Sequence, residues 1–175
     1  MIIYIILFLI PVIFFFYYKD NKQASYKPFL FFFISLAIFV GLGDMLGGYD
    51  RYIYGDLFDN LADQLKIGIP ITSSSIYQAY NTEFGYIGLN RAIAHITNNR
   101  YIFIFLYTIC MYAIILHSFR KYAKNYSLAS ILFLALVFYF SFTYLRQMFA
   151  AAVIGLSIRY IIERKFLKYC AIILA

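Results

Sequence analysis

Long apolar runs alternate with short basic segments along this chain, and one polar stretch interrupts the pattern. Residues 1–18, 29–46 and 101–119 are each close to the roughly 20 apolar residues that cross a hydrocarbon core of about 30 Å. Residues 128–162 form a longer run, which as one straight helix would reach about 52 Å, too long for a single crossing. Its one charge before Arg159 is Arg146, so the pattern predicts two short spans meeting near residues 144–147. A further apolar segment begins at Tyr169 and stops at Ala175, and the chain is therefore expected to be the N-terminal part of a longer protein. The expected fold class is all-α: a polytopic helical membrane protein with about five complete transmembrane helices and the start of a sixth, forming one domain over residues 1–175.

Residues 47–100 are the polar interruption, a loop expected to hold amphipathic helices. Gly47 and Gly48 let the chain turn after the second span, and Tyr49-Asp50-Arg51-Tyr52 sets an acid beside a base. In residues 55–66, Leu57, Phe58, Leu61, Ala62 and Leu65 recur at helical spacing, while Asp56, Asp59, Asp63 and Lys66 project to the other side. That spacing predicts an amphipathic helix lying in the membrane interface, ended by Gly68 and Pro70 and followed by a polar loop at residues 72–75. Residues 81–97 are predicted to form a second helix leading to the third span, with Phe84, Ile87, Leu89, Ile93 and Ile96 as its apolar positions.

Composition and charge sharpen this picture. The chain is 64% hydrophobic, which excludes an ordinary soluble domain. Lys19, Lys22, Lys27, Arg120, Lys121, Lys124, Arg159, Arg164, Lys165 and Lys168 fall on one side of the predicted spans with only Asp20 and Glu163. The other side has Arg51, Lys66, Arg91, Arg100 and Arg146 with the remaining acids. Basic residues stay inside, so the N-terminus is expected outside and the loop extracytoplasmic. The +7 net charge is then a topology signal, and no nucleic-acid partner is expected. Residues 1–18 lack a basic start and a small-residue cleavage site, and read as an anchor helix kinked at Pro11. With 19 Tyr and no Trp, the interfacial aromatic belt is made of tyrosine. Cys110 and Cys170 fall in or beside spans and read as small packing residues.

Candidate chemistry follows from the charges the membrane pattern does not explain. Asp56, Asp59 and Asp63 could ligate a hard cation, but such sites draw ligands from a turning loop, so a solvated helix face is the simpler reading and no metal is expected. Arg91 and His95 are four residues apart and would share a helix face, with His95 either a catalytic base or an interfacial side chain. Glu83 could be a base or an acid complementing a helix N-terminus. Arg146 is the sharpest signal, because a charge within a span costs about 3 kcal/mol on insertion scales. It either snorkels to the outer interface or serves a watery cavity that needs a cation; Asp44 raises the same question with the opposite sign. Ala150, Ala151, Ala152 and Gly155 make a small-residue face suited to close helix packing.

Gly48-Tyr49-Asp50-Arg51-Tyr52 with Tyr54, Glu83-Phe84-Gly85-Tyr86-Ile87-Gly88-Leu89, and Tyr144-Leu145-Arg146-Gln147-Met148-Phe149-Ala150-Ala151-Ala152 are three pieces of the chain. Together they resemble the EpsG-like family of membrane proteins, which are similar to Wzy-type polymerases. The resemblance implies a bacterial cytoplasmic-membrane protein of exopolysaccharide, capsule or O-antigen synthesis that joins polyprenyl-diphosphate-linked oligosaccharide repeat units by glycosyl transfer at the outer face. Arg146, Arg51 and Arg91 would then bind the leaving diphosphate by paired hydrogen bonds, in place of a metal or other cofactor. Asp50, Glu83 or His95 would take the proton of the attacking hydroxyl. Membrane lipids and other polysaccharide-assembly proteins are the further partners implied. Two other classes stay open: a transporter or flippase for lipid-linked saccharides, and a noncatalytic subunit assembling through Ala151 and Gly155.

Overall fold

The computed structural model describes residues 2–17, 22–43, 48–68, 70 and 84–173. Among them every regular element is a helix. In chain order these are α1 (Ile2–Tyr17), α2 (Lys22–Leu42), α3 (Tyr49–Ile67), α4 (Phe84–Ala94), α5 (Arg100–Tyr122) and α6 (Tyr126–Leu132). A π-helical segment, Phe133–Val137, joins α6 to α7 (Phe138–Thr143); α8 (Leu145–Ile162) and α9 (Phe166–Ile173) follow.

Two of these helices, α5 and α8, are long and apolar enough to cross a membrane, while Tyr26–Leu42 and Tyr126–Ser141 are apolar but shorter. The long run does divide where its charge predicted. Tyr144 leaves the helical region (φ −106°, ψ 65°) and separates α7 from α8. Large apolar side chains on the outer faces, such as Phe31 and Ile38 of α2, Leu136 and Tyr139, and Ile154 and Ile161 of α8, are exposed. A surface of that kind suits hydrocarbon rather than water.

The α5 helix is the central post. Ile104, Thr108, Met111, Ile115 and Ser118 recur every three or four residues as a buried stripe. Along it α2 and α8 pack, and α3 and α4 add to the end nearer Phe103. The core has two centres as a result. Phe29, Phe33, Leu36 and Val40 of α2 meet Met111 and Tyr112 of α5 and Phe133 in the first. Phe58 and Leu61 of α3, Tyr86 and Ile93 of α4, and Phe103 and Tyr107 of α5 make the second. In that second centre the rings of Phe58 and Phe103 stack 4.2 Å apart and only 7° from parallel.

The loop helices depart from the sequence expectation at their ends. Phe58, Leu61 and Ala62 of α3 are buried, with Leu57 and Leu65 half-buried, as the spacing requires. The helix starts at Tyr49, however, before the run at 55–66, because Tyr54 and Arg51 extend its buried face by another turn. It stops at Gly68, whose φ of 76° closes a left-handed cap onto Gln64 and Leu65. The α4 helix is shorter than residues 81–97 at its C-terminal end. Tight bonds from Ile96 and Thr97 to the Ile93 carbonyl close it, and Asn99 starts α5 by accepting from the Tyr101 and Ile102 amides. Ile96 therefore lies 75% exposed instead of packing. Glu83, Asp44, Gly47 and residues 72–75 lie outside the described residues. Cys110 is exposed on α5, not packed.

Candidate functional site

The loop helices and the start of α8 are drawn together by a chain of aromatic rings. Tyr54 of α3 lies 6.2 Å from Tyr86 of α4, Tyr86 lies 6.3 Å from Tyr107 of α5, and Tyr107 lies 4.8 Å from Phe149 of α8. Leu145 is buried in the same centre. Three sequence-distant motifs, carrying Tyr54, Tyr86 and Leu145-Arg146, thus share one packed cluster at one end of α5.

Arg146 occupies the first turn of α8, half-buried, between the anchored side chains of Leu145 and Phe149. A cation at a helix N-terminus works against the macrodipole, so its position is not explained by helix stability. The Tyr144 side chain does not cap this helix start. Its first amides and the guanidinium therefore combine at one place to favour an anion.

Arg51 is only 4% exposed and donates from Nη1 to the Val40 carbonyl at 2.8 Å. Val40 lies in the last turn of α2, where carbonyls lack intrahelical donors and the dipole is negative. Burying a cation there is offset by both. A cavity of about 240 Å³ opens beside it, lined by Gly41, Gly43, Arg51, Tyr52, Arg100 and Tyr101 among others.

Arg100 is the residue that sequence reasoning missed, having counted it only as a loop charge. As the first residue of α5 it too sits at a positive helix end, and two carboxylates of α3 compensate it. Nη1 reaches Asp56 Oδ1 at 2.6 Å, and Nε reaches Asp59 Oδ2 at 2.6 Å. Its stem passes over Gly55, where a β-carbon would lie 3.3 Å from Arg100 Cδ. Asp56 and Asp59 are therefore partners of Arg100 instead of a purely solvated face, and Asp63 pairs with Lys66 at 3.2 Å. Two acids at i and i+3 on one face call for a cation. Nothing in the chain order says which.

The remaining candidates are dispersed. Asp50 is half-buried in the first turn of α3. Arg91 is exposed on α4, and His95, exposed just beyond its end, donates its backbone N–H to the Arg91 carbonyl at 3.1 Å. Neither lines the cavity beside Arg51. Asn90 was also unforeseen: fully buried, it donates from Nδ2 to the Tyr86 carbonyl at 2.8 Å. Its Oδ1 is buried without a hydrogen-bond partner among the described residues.

Residues 26–175 match the EpsG family, and the chain belongs to that family. It is accordingly a helical membrane protein related to polysaccharide biosynthesis. No curated protein and no solved structure matches it.

Proposed function

We propose that this protein is a polysaccharide polymerase, a membrane glycosyltransferase joining polyprenyl-diphosphate-linked repeat units at the outer face of the bacterial cytoplasmic membrane. In this reading the chain crosses five times with its N-terminus outside, the shorter apolar helices crossing with α5 and α8, and residues 47–100 form the outer loop. One observation carries the reading: the three motifs meet in the Tyr54–Tyr86–Tyr107–Phe149 cluster, next to the arginine-bearing start of α8, which the Tyr144 side chain leaves uncapped. An anion-favouring site beside a polar loop suits a diphosphate leaving group.

In the reaction a sugar hydroxyl of one unit attacks the anomeric carbon of the other. The bond from that carbon to the diphosphate oxygen breaks, and polyprenyl diphosphate departs with the bonding electrons. Arg146 stabilises the developing charge through paired N–H donors. Arg51 and Arg91 are the secondary candidates for that work; Asp50, Glu83 and His95 are candidates to accept the hydroxyl proton. Arginines alone neutralise the diphosphate, and no metal is required.

A flippase for lipid-linked saccharides is the second reading, favoured by the break at Tyr144, since transporters often bind anionic groups at interrupted helices. Complementation of cells lacking this protein separates the two. Arg146→Ala and Arg146→Lys are compared with wild type at matched membrane abundance, and polymer length is read on a gel. Single repeat units displayed on the outer face, with poor rescue by lysine, support the polymerase and a bidentate contact. Units retained inside point to the flippase, and normal polymer from both variants removes Arg146 from the site.

A further inference from the structure

A second cavity, of about 490 Å³, lies between α5, α6 with the π-helical segment, and α8, and runs from near the aromatic cluster toward the C-terminal end of α5. Its walls include Ser118 and Tyr122 of α5, Leu136 of the π-helical segment, and Met148, Gly155 and Ile158 of α8. Among the described residues no charged side chain lines it. From Met148 to Ile158 the helix rises about 15 Å, half of a hydrocarbon core of about 30 Å. The groove is therefore as deep as one leaflet.

Two polar features distinguish it from a simple packing gap. Ser118 is 8% exposed, lines the groove, and its Oγ is buried without a hydrogen-bond partner among the described residues. The deep end is apolar, whereas the other end, at Tyr122 and Ala123, meets a basic collar. Lys121 Nζ lies 5.6 Å from the Tyr122 ring centroid, and exposed Lys124 follows Ala123. On the α8 side Arg159 and Lys165 both engage Glu163.

We propose that this groove holds one acyl chain of an anionic phospholipid from the leaflet that faces Lys121 and Lys124. The lipid phosphate rests on those two lysines. Ser118, one helical turn deeper than Tyr122, donates to the ester carbonyl, and the chain runs past Gly155 to Met148. The site is independent of the glycosyl-transfer reading and requires only that α5 and α8 span a bilayer.

The test uses the purified chain in detergent with phosphatidylglycerol and phosphatidylcholine of identical acyl chains, and native mass spectrometry to count retained lipid. Wild type should favour phosphatidylglycerol by about thirtyfold, the effect of two lysines near an anionic phosphate. Lys121→Gln with Lys124→Gln should abolish the preference while keeping lipid bound. Ala151→Phe fills the groove and should lower retention about tenfold, equivalent to two methylenes no longer buried. Should that variant fail to fold, Ala129→Phe blocks the same groove from α6. Equal retention of the two lipids by wild type overturns the proposal, as does retention unaffected by the groove-filling variant. A lipid-free dimer, or displacement of phosphatidylglycerol by an equimolar polyprenyl phosphate, would also overturn it.

Discussion

Arg51 Nη1 and the Val40 carbonyl, 2.8 Å apart, tie the start of α3 to the end of α2. The bond fixes where α3 leaves α2, and hence where the cavity beside Tyr52 and Arg100 opens. Arg51→Met keeps much of the apolar stem but leaves a buried carbonyl without its donor. It should lower unfolding stability by about 2 kcal/mol, read as a lower denaturation midpoint in detergent. A midpoint equal to wild type would mean that water replaces the guanidinium.

Arg100 clamps α3 through Asp56 and Asp59, but the group is about one-third exposed. Solvent screening limits each pair to about 1 kcal/mol at most. A double-mutant cycle of Arg100→Gln and Asp59→Asn should show coupling of that size that shrinks as salt is raised. Strictly additive losses would show that the Arg100–Asp59 pair does not help to hold the two helices together.

At Gly41 the α2 backbone comes close to α5, and a β-carbon there would meet Phe105 Cδ2 at 2.8 Å, with the Phe105 backbone at 3.4 Å. Gly41→Ala should destabilise by about 1–3 kcal/mol through overpacking. Gly155→Ala meets the Ser118 side chain, its hydroxyl at 3.3 Å and its Cβ at 3.8 Å, and should cost less. Parallel thermal melts of the two variants check the order; a reversed order would refute the close approach of α2 to α5.

Lys165 and Arg159 hold the Glu163 carboxyl at about 2, below its ordinary 4.5. A lowered carboxylate pKa stabilises the fold fully above the unfolded value and loses that contribution as pH falls from about 4.5 to about 2. The melting difference between wild type and Glu163→Gln should therefore be present at neutral pH and vanish across that acid window. A pH-independent difference would mean that the ion pairs contribute nothing.

The EpsG family membership was legible from three short motifs, and much of the helical layout from hydrophobic spacing. The break at Tyr144 followed from the length of the 128–162 run and the charge at Arg146. The buried face of α3 followed from Phe58, Leu61 and Ala62, because helical periodicity is a local property of the chain. Its true start was less visible, since Arg51 is polar in sequence yet buried in the fold. The end of α4 was likewise misjudged. Thr97 and Asn99 act through bonds to their near neighbours, and these compete with an apolar pattern that continues to Ile96.

The sequence by itself determined an all-helical chain of the EpsG family with a polar loop, because apolar length, periodicity and local motifs need no knowledge of what packs where. Only the tertiary structure decided that Arg100 belongs to Asp56 and Asp59, and that Arg51 belongs to Val40. It also decided that Tyr54, Tyr86, Tyr107 and Phe149 form one cluster. These partners are far apart along the chain, and which surfaces meet depends on the whole bundle closing around α5.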